Sequence, residues 1–281
     1  MALTGAALVL PSIARAGSSV GFDPPIGVCR GLGDVAAAAA GGAAYLECRT
    51  GDLGVDADAA DAARIAEAVR AAPIPVLAAN SFLPGSLKCV GPDADHAAVL
   101  AHAGRVFERA ERLGLEKIVF GSSSARRLPN GCHREEAELQ FTALLARMGD
   151  LAAPHGITVC VEPLQASECN WLNTVRQARR IVAAVQHEHV GITADIFHML
   201  RGDEGPESIR DAGGLIRHVH VAENEGRDAP GVHGEDFGPY LRALAEIGFA
   251  GRISIECRWD DFGAQLPAAR AALHAQVVAA R

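Results

Sequence analysis

From residue 26 to the end of the chain, short apolar runs rich in β-branched residues alternate with longer stretches of helical spacing. Residues 26–29, 45–48, 75–79, 117–120, 157–161, 191–194, 217–219 and 252–255 read as strands. They are brief, apolar and bounded by Gly, Pro or polar turn residues. The intervals 35–44, 58–72, 95–113, 135–153, 174–185 and 264–280 carry helix-forming composition, as where Ile65, Ala68 and Val69 fall on one face. Gly114 stands where a left-handed helix end needs it, and Asn173 is placed to cap the helix after the fifth strand. Eight strands interleaved with helices, without a break in composition, predict a single-domain (β/α)8 TIM barrel over residues 23–281. An open doubly wound sheet is the main competitor, but no GxGxxG follows the first strand.

Residues 1–22 precede the pattern as an extension. Within it, 6–10 form a short apolar run, and Ala14-Arg15-Ala16 resembles a small-residue cleavage site. No Lys or Arg precedes Arg15, so the basic start of a signal peptide is missing. The extension reads either as the remnant of a truncated export signal, which would place the protein outside the cytoplasm or in the periplasm, or as a frayed end of a cytoplasmic protein. No run approaches the ~20 apolar residues that a membrane-spanning helix requires.

Composition narrows the function. The chain is 49% hydrophobic and 21% charged, with a net charge of −8 and no basic cluster. That balance argues against a nucleic-acid partner, whose affinity would come from phosphate neutralisation. The seven cysteines form no CxxC pair, and Cys29, Cys48, Cys160 and Cys257 sit on or beside strands. They read as small buried thiols, not as a disulfide framework or a zinc site.

The chemistry gathers at the ends of the last four strands. The fifth strand ends in Glu162, and Pro163 stops further pairing because it has no N–H. The sixth delivers Asp195, the seventh His220 and the eighth Glu256. Each alone could be a satisfied polar residue. In a barrel whose strand ends converge on the active site, four in the same slot make a divalent-cation site. Three carboxylates and one imidazole are a hard, oxygen-rich set that suits Mn2+ first, with Mg2+ or Co2+ as alternatives. A cation chelating a carbonyl and the neighbouring hydroxyl acidifies the C–H between them and stabilises the enediolate. Glu162 and Glu256 can then take a proton from one face and return it to the other, which is epimerisation, or to the next carbon, which is aldose–ketose isomerisation.

The segment from Glu162 through Pro-Leu-Gln-Ala-Ser-Glu168 to Thr174 resembles the strand-five region of ketose 3-epimerases, members of the xylose-isomerase-like barrel superfamily. Asp195-Ile-Phe-His198-Met199, His218-Val-His220-Val-Ala-Glu-Asn with Arg227 and Pro230-Gly231, and Ser254-Ile-Glu256 are similar to their later strand ends. The resemblance implies Glu162, Asp195, His220 and Glu256 as ligands of one divalent cation, with the two glutamates as acid and base. It implies further that Glu168 works at the substrate's end and that His198 and Arg227 hydrogen-bond substrate oxygens. The segment between His220 and Pro230 is a residue longer than in the epimerases. His218 shares a strand face with His220 and is expected to support the site from beneath. Arg126 would bind an anionic substrate group or cover the barrel rim, and the loop around Phe82, Leu83 and Pro84 would wall the pocket or simply pack.

The expected partner is a small sugar or polyol ketone, and a homo-oligomer is compatible with the chain. An inosose-dehydratase-type lyase on the same barrel and a non-catalytic carbohydrate-binding barrel are the competing readings. Endonuclease relatives of this barrel need additional His and Asp ligands and a basic face, which this acidic chain does not show.

Overall fold

In the computed structural model, which describes residues 21–281, the eight apolar runs close into a barrel of parallel strands in chain order. They are β1 (Ile26–Cys29), β2 (Leu46–Arg49), β3 (Val76–Asn80), β4 (Lys117–Phe120), β5 (Thr158–Val161), β6 (Val190–Asp195), β7 (Ile216–Val221) and β8 (Arg252–Ile255). The ring closes where β8 pairs with β1, with Ile26 opposite Ile253 and Val28 opposite Ile255. Among the described residues, ten α-helices follow the chain around it: α1 (Val35–Ala40), α2 (Ala59–Arg70), α3 (His96–Leu113), α4 (Ser123–Arg126), α5 (Arg134–Ala152), α6 (Val175–Val185), α7 (Ile196–Arg201), α8 (Glu207–Ala212), α9 (Gly238–Glu246) and α10 (Phe262–Ala279).

Most of these boundaries follow from local chemistry. The Asp58, Asp95 and Asp261 side chains accept backbone N–H groups at the starts of α2, α3 and α10, and Gly114 ends α3 at φ +80°. Residue 173 is different. Thr174 caps α6 by accepting the Gln177 N–H, whereas the Asn173 amide donates to the Leu164 and Cys169 carbonyls. Asn173 therefore ties the loop after β5 together and is not the cap. The short helices α7, α8 and α9 occupy the intervals between β6, β7 and β8, where no long helical period is present to announce them.

The main core lies between sheet and helices. On α3, Val99, Ala103, Val106, Phe107, Ala110 and Leu113 form one buried stripe. Phe82 leaves the β3 end and packs against Phe107 and Phe120, with ring centroids 5.6 and 5.3 Å apart. Phe120 continues this contact to Phe141, and Phe141 to Trp171. These rings join the β3, β4 and β5 loops into one firm wall. Phe82 is thus packing, while its neighbour Leu83 reaches the cleft above the barrel.

The candidate export-signal remnant falls in residues 1–20, outside the described residues. The described chain begins against the barrel, where Phe22 packs on the core and its carbonyl accepts the Arg281 Nε–H at 2.9 Å. Among the described residues no helix is long and apolar enough to cross a membrane. The seven cysteines are all free.

Candidate active site

Side chains two apart on a strand share a face, so each strand-end residue stands above another inward position. The pairs are Cys160 and Glu162 on β5, Thr193 and Asp195 on β6, His218 and His220 on β7, and Ser254 and Glu256 on β8. All but Glu256 are buried. One ligand atom from each of Glu162, Asp195, His220 and Glu256 lies within 4.8 Å of the others. His220 Nδ1 stands 2.8 Å from Glu162 Oε1, 3.4 Å from Glu256 Oε2 and 4.0 Å from Asp195 Oδ2.

Asp195 divides its two oxygens. Oδ1 accepts the His198 backbone N–H and caps α7, whereas Oδ2 is buried without a hydrogen-bond partner among the described residues. A buried carboxylate oxygen left bare, converging with two more carboxylates and an imidazole nitrogen, is what a hard divalent cation requires. The residues present therefore fit such an ion.

Two clefts open above the cluster and share Asn80, Ser81, Arg227 and Glu256 on their walls. The larger, about 580 Å³, spreads over β1 and β2. The smaller, about 300 Å³, is lined by Ser122, Ser123, Glu162, Glu168 and His198. His198 Nδ1 accepts the Gln165 N–H at 3.3 Å. Its proton therefore sits on Nε2, which faces Asp195 Oδ2 at 3.4 Å. Arg227 lies over the Phe197 ring, 4.7 Å from its centroid, with Nη2 donating to Glu256 Oε2 at 2.5 Å and Nη1 donating to Glu168 Oε1 at 3.5 Å. All three residues assigned to substrate contact by resemblance are therefore at the mouth.

The longer segment after His220 is organised by a residue that sequence reasoning passed over. Glu223 is fully buried and accepts the backbone N–H groups of Gly231, His233, Gly234 and Glu235. This knot, with the Glu223 N–H to Asp228 carbonyl bond, fixes the loop on which Arg227 stands at φ +57°.

Arg126 is neither an exposed anion contact nor a rim cover. It is buried, with Nε donating to the Gly121 carbonyl at 2.5 Å and Nη2 to the Glu162 carbonyl at 2.7 Å. It clamps the ends of β4 and β5 from behind. Two further residues were missed. Asn80, at the end of β3, donates from Nδ2 to Glu256 Oε1 at 3.3 Å. Glu47, in the middle of β2, is fully buried and lies 2.7 Å from His218 Nε2 and 3.0 Å from His220 Nε2. His218 is indeed beneath the site, and Glu47 is what it holds. The signal was available, because an acid inside a buried strand needs a partner as much as one at the strand's end.

The local field separates the two glutamates. Burial pushes the Glu162 carboxyl up, and the charges of Glu256 and Asp195 add to that against the pull of His220. Burial acts on Glu256 as well, but His220 and Arg227 outweigh it and hold that carboxyl below the ordinary range. For His220, burial works against the charge, yet Glu47 and the other acids around the ring hold it well above the usual imidazole range.

The closed parallel barrel of eight strands and its surrounding helices is the fold that the xylose isomerase-like TIM barrel family is named for. That family's model matches residues 35–277, and the chain belongs to it. Inosose isomerase from Bacillus subtilis (strain 168) is 31% identical over 134 residues, which are 44% of this chain and 48% of that protein. Ketose 3-epimerase from Arthrobacter globiformis is 32% identical over 115 residues, 41% of this chain and 39% of that one. The matches thus span about half or less of these curated relatives' length. Among solved structures, L-ribulose 3-epimerase superposes with a TM-score of 0.77 at 22% identity, covering 91% of this chain and 95% of that one. The IolI protein with a bound zinc atom gives 0.71 at 22% identity, covering 91% and 97%. At that identity these superpositions speak for the fold alone.

Proposed function

We propose that the protein is a cation-dependent isomerase or epimerase of small sugars or polyol ketones, working by proton transfer between two glutamates. The observation that carries this is the convergence of Glu162, Asp195, His220 and Glu256 from four successive strand ends, with their ligand atoms within 4.8 Å of one another. Related proteins named as ketose 3-epimerase, L-ribulose 3-epimerase and inosose isomerase support the substrate class.

Asp195, His220 and the two glutamates would hold the ion, with Mn2+ the leading candidate. When bound, the cation supplies Lewis-acid polarisation of a carbonyl and the hydroxyl beside it, which acidifies the C–H between them. One of Glu162 and Glu256 removes that proton, and the other delivers a proton to the opposite face. His198 Nε2–H and the Arg227 guanidinium donate to substrate oxygens from the cleft wall, while Glu168 holds Arg227 from the other side. Arg227 and Asn80 fix the Glu256 carboxylate, and Arg126 fixes the backbone that carries Glu162. Mere carbohydrate binding requires no such pair of braced carboxylates.

The test is solvent deuterium incorporation, followed by NMR, into a panel of ketoses, inososes and keto-glycosides with added Mn2+. Label entering the carbon next to a carbonyl, together with the epimer or isomer, supports the reading. Loss of water from an inosose would make the protein a dehydratase. Binding without exchange on any member would leave a carbohydrate-binding barrel.

A further inference from the structure

The His220 ring presents one nitrogen to each of two acidic environments. Nδ1 faces the three carboxylates of the candidate cation site. Nε2 points the other way, 3.0 and 3.2 Å from the two oxygens of Glu47. A nitrogen that ligates a cation cannot also carry a hydrogen, and an ionised carboxylate can only accept one. The ring is therefore tied at one side so that its other side is free to bind.

Glu47 is itself held in place. Its Oε2 accepts from Ser254 Oγ at 2.7 Å and from His218 Nε2 at 2.7 Å. Ser254 in turn accepts from the Tyr45 hydroxyl at 2.7 Å. His218 donates through Nε2, and its Nδ1 is buried without a partner among the described residues. That is tolerable for a bare lone pair and costly for an N–H, so His218 stands neutral. Gly27 makes room for this network, because a β-carbon there would collide with the Tyr45 ring.

Cys29, Glu47 and His220 also offer three ligand atoms within 4.8 Å of one another, so a second cation deserves comparison. Its arrangement is wrong for one. The Glu47 oxygens stand at hydrogen-bond distance from Nε2, with no room for an ion between them, and Oε2 already takes two further donors.

We propose that Glu47 is a positioning residue of the candidate cation site: it accepts the His220 Nε2–H, fixes that tautomer and ring orientation, and so presents Nδ1 as the ligand atom. This rests on reading the four-residue cluster as a cation site. Carboxylate partners of ligating histidines typically contribute about 10- to 100-fold in metal affinity or activity. Glu47 reaches from β2, opposite in the chain to the strands that carry the ligands, so one hydrogen bond couples the two halves of the barrel.

The experiment has two arms, both on the full chain. In the first, the Zn2+-loaded wild-type protein is labelled with 15N histidine, and the protonated nitrogen of His220 is identified by NMR. A proton on Nε2 with Nδ1 on the metal is expected, and the reverse assignment overturns the proposal. In the second, Mn2+ affinity is measured calorimetrically for wild type, Glu47→Gln, Glu47→Asp and His218→Gln. The Gln variant can turn its amide N–H toward Nε2 and should bind Mn2+ about 10- to 100-fold more weakly. The Asp variant should recover part of the loss, and His218→Gln should lose less than Glu47→Gln. Wild-type affinity in folded Glu47→Gln overturns the proposal, as does an equal loss in both Gln variants, since Glu47 would then only pack. If the Glu47 variants do not fold, the wild-type spectrum decides. A wild-type chain that takes up no cation overturns both this proposal and the functional reading, whereas uptake through Nε2 overturns this proposal alone.

Discussion

Gly121, just past the end of β4, stands directly against the Glu162 carboxylate, and a β-carbon at that position would overlap Oε2. The displaced atom is the tip of a flexible side chain, so Gly121→Ala should fold while forcing Glu162 out of the cluster. Misplacing a reacting group by about 1 Å can cost on the order of 10²-fold in rate. Circular dichroism should be unchanged, with cation affinity and turnover both reduced. Full activity in this variant would show that the Glu162 carboxylate works from some other place.

The proton-transfer roles are separable from cation binding. Glu162→Gln and Glu256→Gln each keep the size and a carbonyl oxygen but lose the base. At saturating Mn2+, each should lose about 10²- to 10⁴-fold in turnover. If the two serve opposite faces, one variant should still exchange the substrate's proton with solvent without completing epimerisation. Near-normal turnover in either would leave a one-base enzyme.

Asp195 allows the charge to be removed without removing the helix cap. Asp195→Asn can keep an oxygen for the His198 N–H that Oδ1 now accepts, while the bare Oδ2 is lost. Mn2+ binding in calorimetry should fall sharply, with little change in the thermal unfolding of the cation-free chain. Unchanged affinity would remove Asp195 from the ligand set.

Cation uptake should release protons. His220 is held well above its ordinary value of 6.5 in the cation-free chain. At neutral pH the ring therefore carries a proton that must leave before Nδ1 can ligate. Affinity should rise with pH and level off above the raised value. In the cation-free chain the sign for stability is opposite. The contribution of a raised histidine is fully present below 6.5 and is lost as pH rises through the folded-state value. Titrations in buffers of different ionisation enthalpy measure the release, and an uptake independent of buffer and pH would contradict it.

The barrel and its four convergent lip residues were legible because both follow from local patterns. An apolar run marks each strand, and the polar residue that ends it has no packing reason to be there. Glu47 was harder to see, since it sits inside such a run and its partners His218 and His220 are 171 and 173 residues away. Nothing short of the closed sheet brings β2 to β7 across the interior. Asn80 and Glu256 are separated by 176 residues in the same way. The role of Arg126 was misread for another reason. Its position after β4 put it at the rim, but the short turn of α4 folds the side chain inward, onto the Gly121 and Glu162 carbonyls. The helices α7 to α9 are six to nine residues long, too short for periodicity to stand out from a loop.

The four amide hydrogens gathered on Glu223 make one carboxylate the shared anchor of the loop after β7. Because one carboxylate accepts four of the segment's backbone N–H groups, its loss frees all four together. With the carboxylate seated these four amides are bonded, and when it leaves four backbone sites open together. Limited proteolysis of a Glu223→Gln chain would therefore cut here in preference to the other loops, and the cut would fall beside the arginine that braces Glu256.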